Sequence, residues 1–372
     1  MLLERIAETE LYMLTNQIIQ NSLEELRDIT RVELALYDME GMPLAMTSET
    51  ACIQKEVLAY FADSAAQSQV VGGCHLIKVE EEGRDAYILT ACGEGDNVYM
   101  VGKIAASQIR ALAVAYKERY DRTNYFQNLL LDNLLLVDIY NRAKRLHINI
   151  EGRRVVFLIE TKMEKENGVM EMMRSLFSQQ NGDYVVAVDE QGVILIKSLQ
   201  KGEEDKEVSQ IAQMIVDMLN TEAMLKARVA YGTEVNELKE LSKSYKEAKM
   251  AMDVGRIFDA GKKVISYKRL GIGRLIYQLP TSLCKMFMEE IFGSNLPDKL
   301  DEETRTTIQK FFENSLNVSE TSRQLYIHRN TLVYRIEKLQ KETGLDIRNF
   351  DDALTFKIAL MVVSYLNFIS QS

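Results

Sequence analysis

The chain has 372 residues, a net charge of −10, and 47% apolar against 27% charged residues. That composition excludes a disordered or fibrous protein and predicts two to four compact units. The acidic total excludes a general nucleic-acid coat but leaves room for one basic module, because attraction to DNA depends on local clustering.

In chain order, residues 1–107 read as an α/β unit. A helical pattern over Leu2–Ile29 precedes an alternating strand, Val32–Tyr37, a turn at Asp38-Met39-Glu40-Gly41 and a second strand, Met42–Thr47. A helix near Ile53–Gln67 and three strands, His75–Val79, Asp85–Ala91 and Val98–Ile104, are predicted next. This order is similar to that of small PAS- or GAF-like sensory domains and names no ligand. Residues 108–147 lack glycine and proline and carry apolar side chains at helical spacing, which predicts one connector helix or two nearly collinear ones. The apolar surplus on Leu129, Leu134 and Val137 suits a homodimer interface. Residues 148–268 alternate strands (Arg154–Glu160, Tyr184–Val188, Val193–Ile196, Arg228–Gly232) with helices (Val169–Ser178, Val208–Leu219, Leu238–Val254), predicting an α/β sandwich. Residues 269–300 read as a helical linker, and 301–372 as an all-α bundle.

The N-terminus lacks the basic start, apolar stretch and cleavage site of a secretory signal, and no apolar run is read as long enough to span a bilayer. A cytoplasmic protein without a membrane partner is expected. Cys52, Cys74, Cys92 and Cys284 are far apart and form no CxxC, so free buried thiols are expected rather than a disulfide framework. Cys74-His75 with Cys92 could begin a metal or redox site, but no fourth ligand stands at useful spacing. No metal or cofactor is expected.

The functional signal lies between Val318 and Lys341, where Arg323, Arg329, Arg335, Lys338 and Lys341 face only Glu320 and Glu337. Val318, Ser322 and Leu325 recur at i, i+4, i+7, and so do Leu332, Ile336 and Leu339; Ile327 plugs the corner between them. Two short helices crossing at small Ser322 form a helix-turn-helix. His328 stands where the turn meets the second helix. Arg329, Asn330, Thr331, Tyr334, Arg335 and Lys338 are predicted to share its solvent face, with Arg323 on the first helix. Arginine pairs with guanine, asparagine with adenine, and a threonine methyl meets that of thymine. Arg335 and Lys338 lie further along, where phosphates are met. Double-stranded DNA is the expected partner.

The segments Thr321–Leu325 and His328–Ile336, with Phe350–Leu360, resemble the C-terminal domain of the PucR/CdaR family, the purine-catabolism and sugar-diacid regulators; that family usually has alanine where Ser322 stands. Phe126–Leu130 and Arg142–Leu146 resemble the family's connector. Val229-Ala230-Tyr231-Gly232 with Leu241–Ala251 is similar to its degenerate GGDEF-like domain. The resemblance implies a transcription regulator, and the domain order predicts that its N-terminal unit gates DNA binding by taking a small-molecule effector of unknown identity or by responding to oxidation. Intact GGDEF domains make cyclic dinucleotide with glycines and metal-binding carboxylates in one hairpin. Here that hairpin reads Val188-Asp189-Glu190-Gln191-Gly192-Val193, without the glycines, and no P-loop, GxSxG or HExxH occurs. No catalytic residue is expected. The alternative is a sensory scaffold whose GGDEF-like unit binds a nucleotide.

Overall fold

The computed structural model describes residues 17–48, 52–81, 83–161, 166–177, 181–187, 192–200, 202–293 and 301–371. The chain divides into two compact units, Met1–Phe126 and Gln127–Ser372.

Alternation organises the first unit. In β1 (Glu33–Asp38), Leu34 and Leu36 point to one side and Ala35 and Tyr37 to the other, and all four are buried. The sheet therefore needs cover on both faces. It is antiparallel, with β2 (Pro43–Met46), β3 (Ser68–Val71), β4 (Cys74–Glu81) and β5 (Arg84–Cys92) in the order β2-β1-β5-β4-β3. Helices α1 (residues 17–30) and α3 (Val98–Leu130) bury Ile19, Leu23, Val101 and Ile109 against the Leu34 face. Helix α2 (Lys55–Asp63) covers the other face with Leu58 and Phe61. Buried Lys78 fixes the end of α2 by donating to the carbonyls of Ala62 (2.9 Å) and Ser64 (2.6 Å) while pairing with Asp85.

Three expectations for this unit are corrected. Val98–Ile104 is not a strand; it opens α3, where Val98, Val101 and Ala105 turn inward at helical spacing. Gly102 brings that turn close to the sheet, since a Cβ there would lie 2.7 Å from Ile77 Cδ1. The third strand after α2 is instead β3, joined to β4 through Gly72 and Gly73 at φ +59° and +83°, the left-handed pair that a tight hairpin requires. Cys74 and Cys92 are not free thiols: the β4–β5 register sets them opposite each other, Cα atoms 4.2 Å apart, joined by a disulfide. Cys52 is exposed and Cys284 buried, both as free thiols.

The connector is interrupted. Helix α3 ends at Leu130, Asp132 takes φ 59°, and α4 (Leu136–Arg145) begins anew. The break sends Leu129 and Leu130 inward and leaves Leu131, Leu135, Leu136 and Val137 46–75% exposed. Leu129 is thus unavailable to a partner.

The α/β part of the second unit is a sheet of β6 (Glu151–Thr161), β7 (Tyr184–Ala187), β8 (Val193–Ser198), β9 (Ala227–Tyr231), β10 (Val235–Glu237) and β11 (Val264–Ser266), ordered β11-β9-β6-β8-β7 with β10 against β6. Val155, Phe157 and Ile159 pack on α5 (Glu166–Leu176) and α6 (Asp205–Thr221). Leu158 and Ala230 meet α7 (Leu241–Phe258) on the opposite face. The edge strands β10 and β11 were not anticipated, and the Asp189-Glu190-Gln191 turn lies outside the described residues. Gly232 is where α7 comes closest, since a Cβ would fall 2.0 Å from the Ser244 carbonyl oxygen. The Ser244 hydroxyl donates to the Thr233 carbonyl (2.7 Å) and accepts from the Val156 amide (3.2 Å), tying helix to sheet.

Helices α8 (Ile272–Tyr277), α9 (Thr281–Phe292), α10 (Glu302–Glu313), α11 (Val318–Gln324), α12 (Arg329–Thr343) and α13 (Phe350–Gln371) complete the unit. Ile276, Cys284, Met288 and Phe292 share one core with Phe311, Leu332, Ile336 and Phe356. Residues 272–292 are therefore part of the bundle rather than a linker. Contrary to expectation, Val98–Leu130 and Phe350–Ser370 are long and apolar enough to cross a membrane. In α13 the apolar surplus arises because Phe356, Ala359 and Val362 fill the bundle core.

Candidate nucleic-acid interface

The reader is built by two caps and one corner. The Asn317 side chain accepts from the Glu320 amide at 3.1 Å and starts α11. His328 Nδ1 accepts from the Asn330 amide at 3.2 Å and starts α12. Such caps satisfy amides that have no partner inside the helix. Between them the Ile327 amide donates to the Ser322 carbonyl at 3.0 Å, and Tyr326 takes φ 54°. Gly344, at φ 80°, ends α12 by donating its amide to the Gln340 carbonyl.

The anticipated stripe closes the motif. Ser322, Leu332, Ile336 and Leu339 are buried, while Val318, Leu325 and Ile327 are half-buried at its edge. Thr321, unanticipated, is also fully buried, its hydroxyl donating to the Asn317 carbonyl at 2.7 Å.

On the outer face Arg329, Asn330, Thr331, Tyr334 and Lys338 are exposed together, with His328 at the helix start and Arg323 across the turn. The first turn of α12 carries no acid, so its positive helix end and Arg329 add to one another. Arg323 is ion-paired with Glu320, and Lys338 stands 3.8 Å from Glu342. Arg335 departs from the expected face. It is half-buried and turned back onto α10, donating to Thr307 Oγ1 at 3.0 Å and ion-pairing with Glu303. The α10 helix that holds it is started by Asp301, whose carboxyl is kept below the usual range by the Thr304 amide. The sequence reading also missed Tyr326, 96% exposed in the turn. An aromatic between two half-buried apolar residues beside a basic helix was the available signal.

Behind the reader, α7 and α13 are linked through Tyr277. Its hydroxyl donates to Asp253 of α7 at 2.9 Å, and its ring lies 5.7 Å from that of Tyr365. Burial, followed by the Asp253 hydrogen bond, pushes the Tyr277 phenol up. Among the described residues no cluster of histidine, cysteine and carboxylate side chains could hold a metal ion.

Residues 304–362 match the PucR C-terminal helix-turn-helix domain, and residues 133–254 match the GGDEF-like domain. The chain is 23% identical over 278 residues to the carbohydrate diacid regulator of Escherichia coli, covering 72% of each chain. It is 25% identical over 173 residues to the purine catabolism regulatory protein of Bacillus subtilis, covering 45% of this chain and 32% of that one. The central and C-terminal regions of the chain thus match the domains of PucR/CdaR-type transcription regulators. A third similarity is to the proline-responsive transcriptional activator PutR of Bacillus subtilis, 30% identical over 141 residues, covering 36% of this chain and 34% of that one. The match spans about a third of the length of these two Bacillus subtilis relatives. The matched GGDEF-like domain is of the degenerate type, and these relatives are named as regulators.

Proposed function

We propose that this regulator binds specific DNA sequences as a cytoplasmic homodimer whose affinity is set by a small molecule at the N-terminal unit. The first turn of α12 carries the proposal: Arg329, Asn330 and Thr331 stand exposed with no acid among them. Helix-turn-helix proteins place that turn of the second helix against base edges, and these side chains suit guanine, adenine and thymine. Arg323 and Lys338 act as phosphate contacts on either side. His328, the cap, positions the turn, and Tyr334 lies along the groove wall.

An antiparallel sheet covered by helices on both faces supports a PAS- or GAF-like sensory role for the first unit. The names of the relatives invoke different metabolites, which supports gating by a small molecule without assigning one. The exposed patch of Leu131, Leu135, Leu136 and Val137 supports the homodimer, and pairing two readers doubles the DNA site.

Selection of bound sequences from random DNA with the full chain, repeated with candidate metabolites, tests this function. Enrichment of a two-half-site motif is expected. Recovery of unrelated sequences at every round would sink it.

A further inference from the structure

A cleft of about 620 Å³ opens between α7 and α8 on one side and α10 and α13 on the other. That volume lies within the roughly 300–1,000 Å³ of small-molecule sites. Its walls combine the rings of Phe258 and Phe312 and the side chain of Leu360 with the cations Arg305 and Lys357 and the amide of Gln309. Two acids also border it, but each has a cation of its own: Glu313 is held by Lys310 at 2.6 Å and Asp259 by Lys262 at 2.9 Å. Among the described residues no acid pairs with Lys357. Its ammonium stands 6.0 Å from the centre of the Phe312 ring, a cation placed directly beside apolar surface. An apolar body would fill the floor, and a negative group would complete the charge.

The cleft also has a route to the reader. On α10, Arg305, Gln309 and Phe312 line the cleft at helical spacing. The opposite face of the same helix presents Glu303 and Thr307, which hold Arg335 of the recognition helix. A ligand that shifts α10 by a fraction of a turn alters the grip on Arg335. Packed helices pass on such displacements because their interfaces have few alternative arrangements.

We propose that this cleft binds a small amphipathic anion, a planar apolar body bearing one acidic group, and thereby biases α12; only the second part rests on the DNA-binding reading. The acidic group sits against Lys357 and Arg305, and the body between Phe258, Phe312 and Leu360.

The probe is 8-anilinonaphthalene-1-sulfonate, an aromatic sulfonate, titrated into the full chain and followed by its fluorescence. Saturable binding is expected. Lys357→Glu should weaken it roughly tenfold through charge reversal at the site, Ser364→Trp should abolish it by filling the cleft, and Lys239→Gln, exposed before the opposite end of α7, should leave it unchanged. Parental affinity in both cleft variants, each with an unaltered thermal transition, overturns the site. Saturating probe should also change affinity for selected DNA severalfold, and this response should vanish in Ser364→Trp. A DNA affinity indifferent to the probe overturns the coupling to α12. A chain that binds no DNA with or without probe defeats the regulator function and leaves the site standing.

Discussion

Arg335 of the recognition helix donates to Thr307 of α10 at 3.0 Å, so a basic residue of the reader is spent on holding the reader in place. Thr307 is buried, and Thr307→Val keeps its shape while removing the acceptor. Two hydrogen bonds go with the hydroxyl, the one it accepts from Arg335 and the one it donates to the Glu303 carbonyl, so a loss of about 1–2 kcal/mol is expected. With Glu303→Gln added, which removes the ion pair that still holds Arg335, the salt dependence of DNA binding should steepen by up to about one unit. Denaturant unfolding and binding isotherms at several salt concentrations measure both effects. If Arg335→Ala flattens the salt slope as much as Lys338→Ala does, Arg335 is a phosphate contact in the complex.

Arg329 and Lys338 should fail in different ways. Arg329→Ala removes a bidentate base contact, costing about 1–3 kcal/mol and relaxing preference at one base position. Lys338→Ala weakens binding to all sequences and lowers the salt slope by about one unit. Leu332→Ala, in the fully buried stripe, opens a cavity at roughly 2–5 kcal/mol and lowers the unfolding temperature instead. Equal losses on specific and scrambled DNA for Arg329→Ala and Lys338→Ala would remove the base-reading assignment.

The patch after α3 makes a prediction about assembly. Leu135 and Val137 are 75% and 68% exposed, a cost in water that a second copy would relieve. Sedimentation of the parent should show a dimer at micromolar concentration, and Leu135→Glu with Val137→Glu a monomer of unchanged helix content. A parent that sediments as a monomer, with and without DNA, excludes this interface.

The Cys74–Cys92 disulfide closes a loop with a sequence separation of 18 residues. Loops of that size restrict the unfolded chain by about 3 kcal/mol. Reduction, or Cys74→Ser with Cys92→Ser, should therefore lower the melting temperature of the first unit and leave the helical bundle unaffected. Identical melting of both units under oxidising and reducing conditions would show that the bond contributes nothing to the fold.

Periodic features were legible in the sequence, and features made by long-range pairing were not. The Leu332–Ile336–Leu339 stripe and the β1–β2 hairpin follow from side-chain spacing alone, and the structure keeps both. Val98–Ile104 deceived because a short apolar run satisfies strand and helix patterns alike. The inward turn of Val98, Val101 and Ala105, with Gly102 close against Ile77, discloses which is formed. The disulfide depends on the β4–β5 register, which single residues do not reveal. Arg335 looked free because its partner, Thr307, stands 28 residues upstream on another helix. Leu129 looked available because helical spacing alone does not say which stripe of α3 packs inward, and Leu129 is on the buried one.

Tyr326 holds the turn of the reader at φ 54°, a conformation that disfavours a side-chain-bearing residue by about 1–2 kcal/mol. Its ring, 96% exposed, gains almost nothing from packing within the chain. The residue is thus poorly chosen for the folded molecule alone, and strain of this kind collects at functional positions. Backbone comfort calls for glycine at this corner, and a ring held out beside the recognition helix calls for tyrosine. Variant libraries sorted once for thermal resistance and once for grip on the operator should accordingly part company at this position, glycine enriching in the first and aromatic residues in the second.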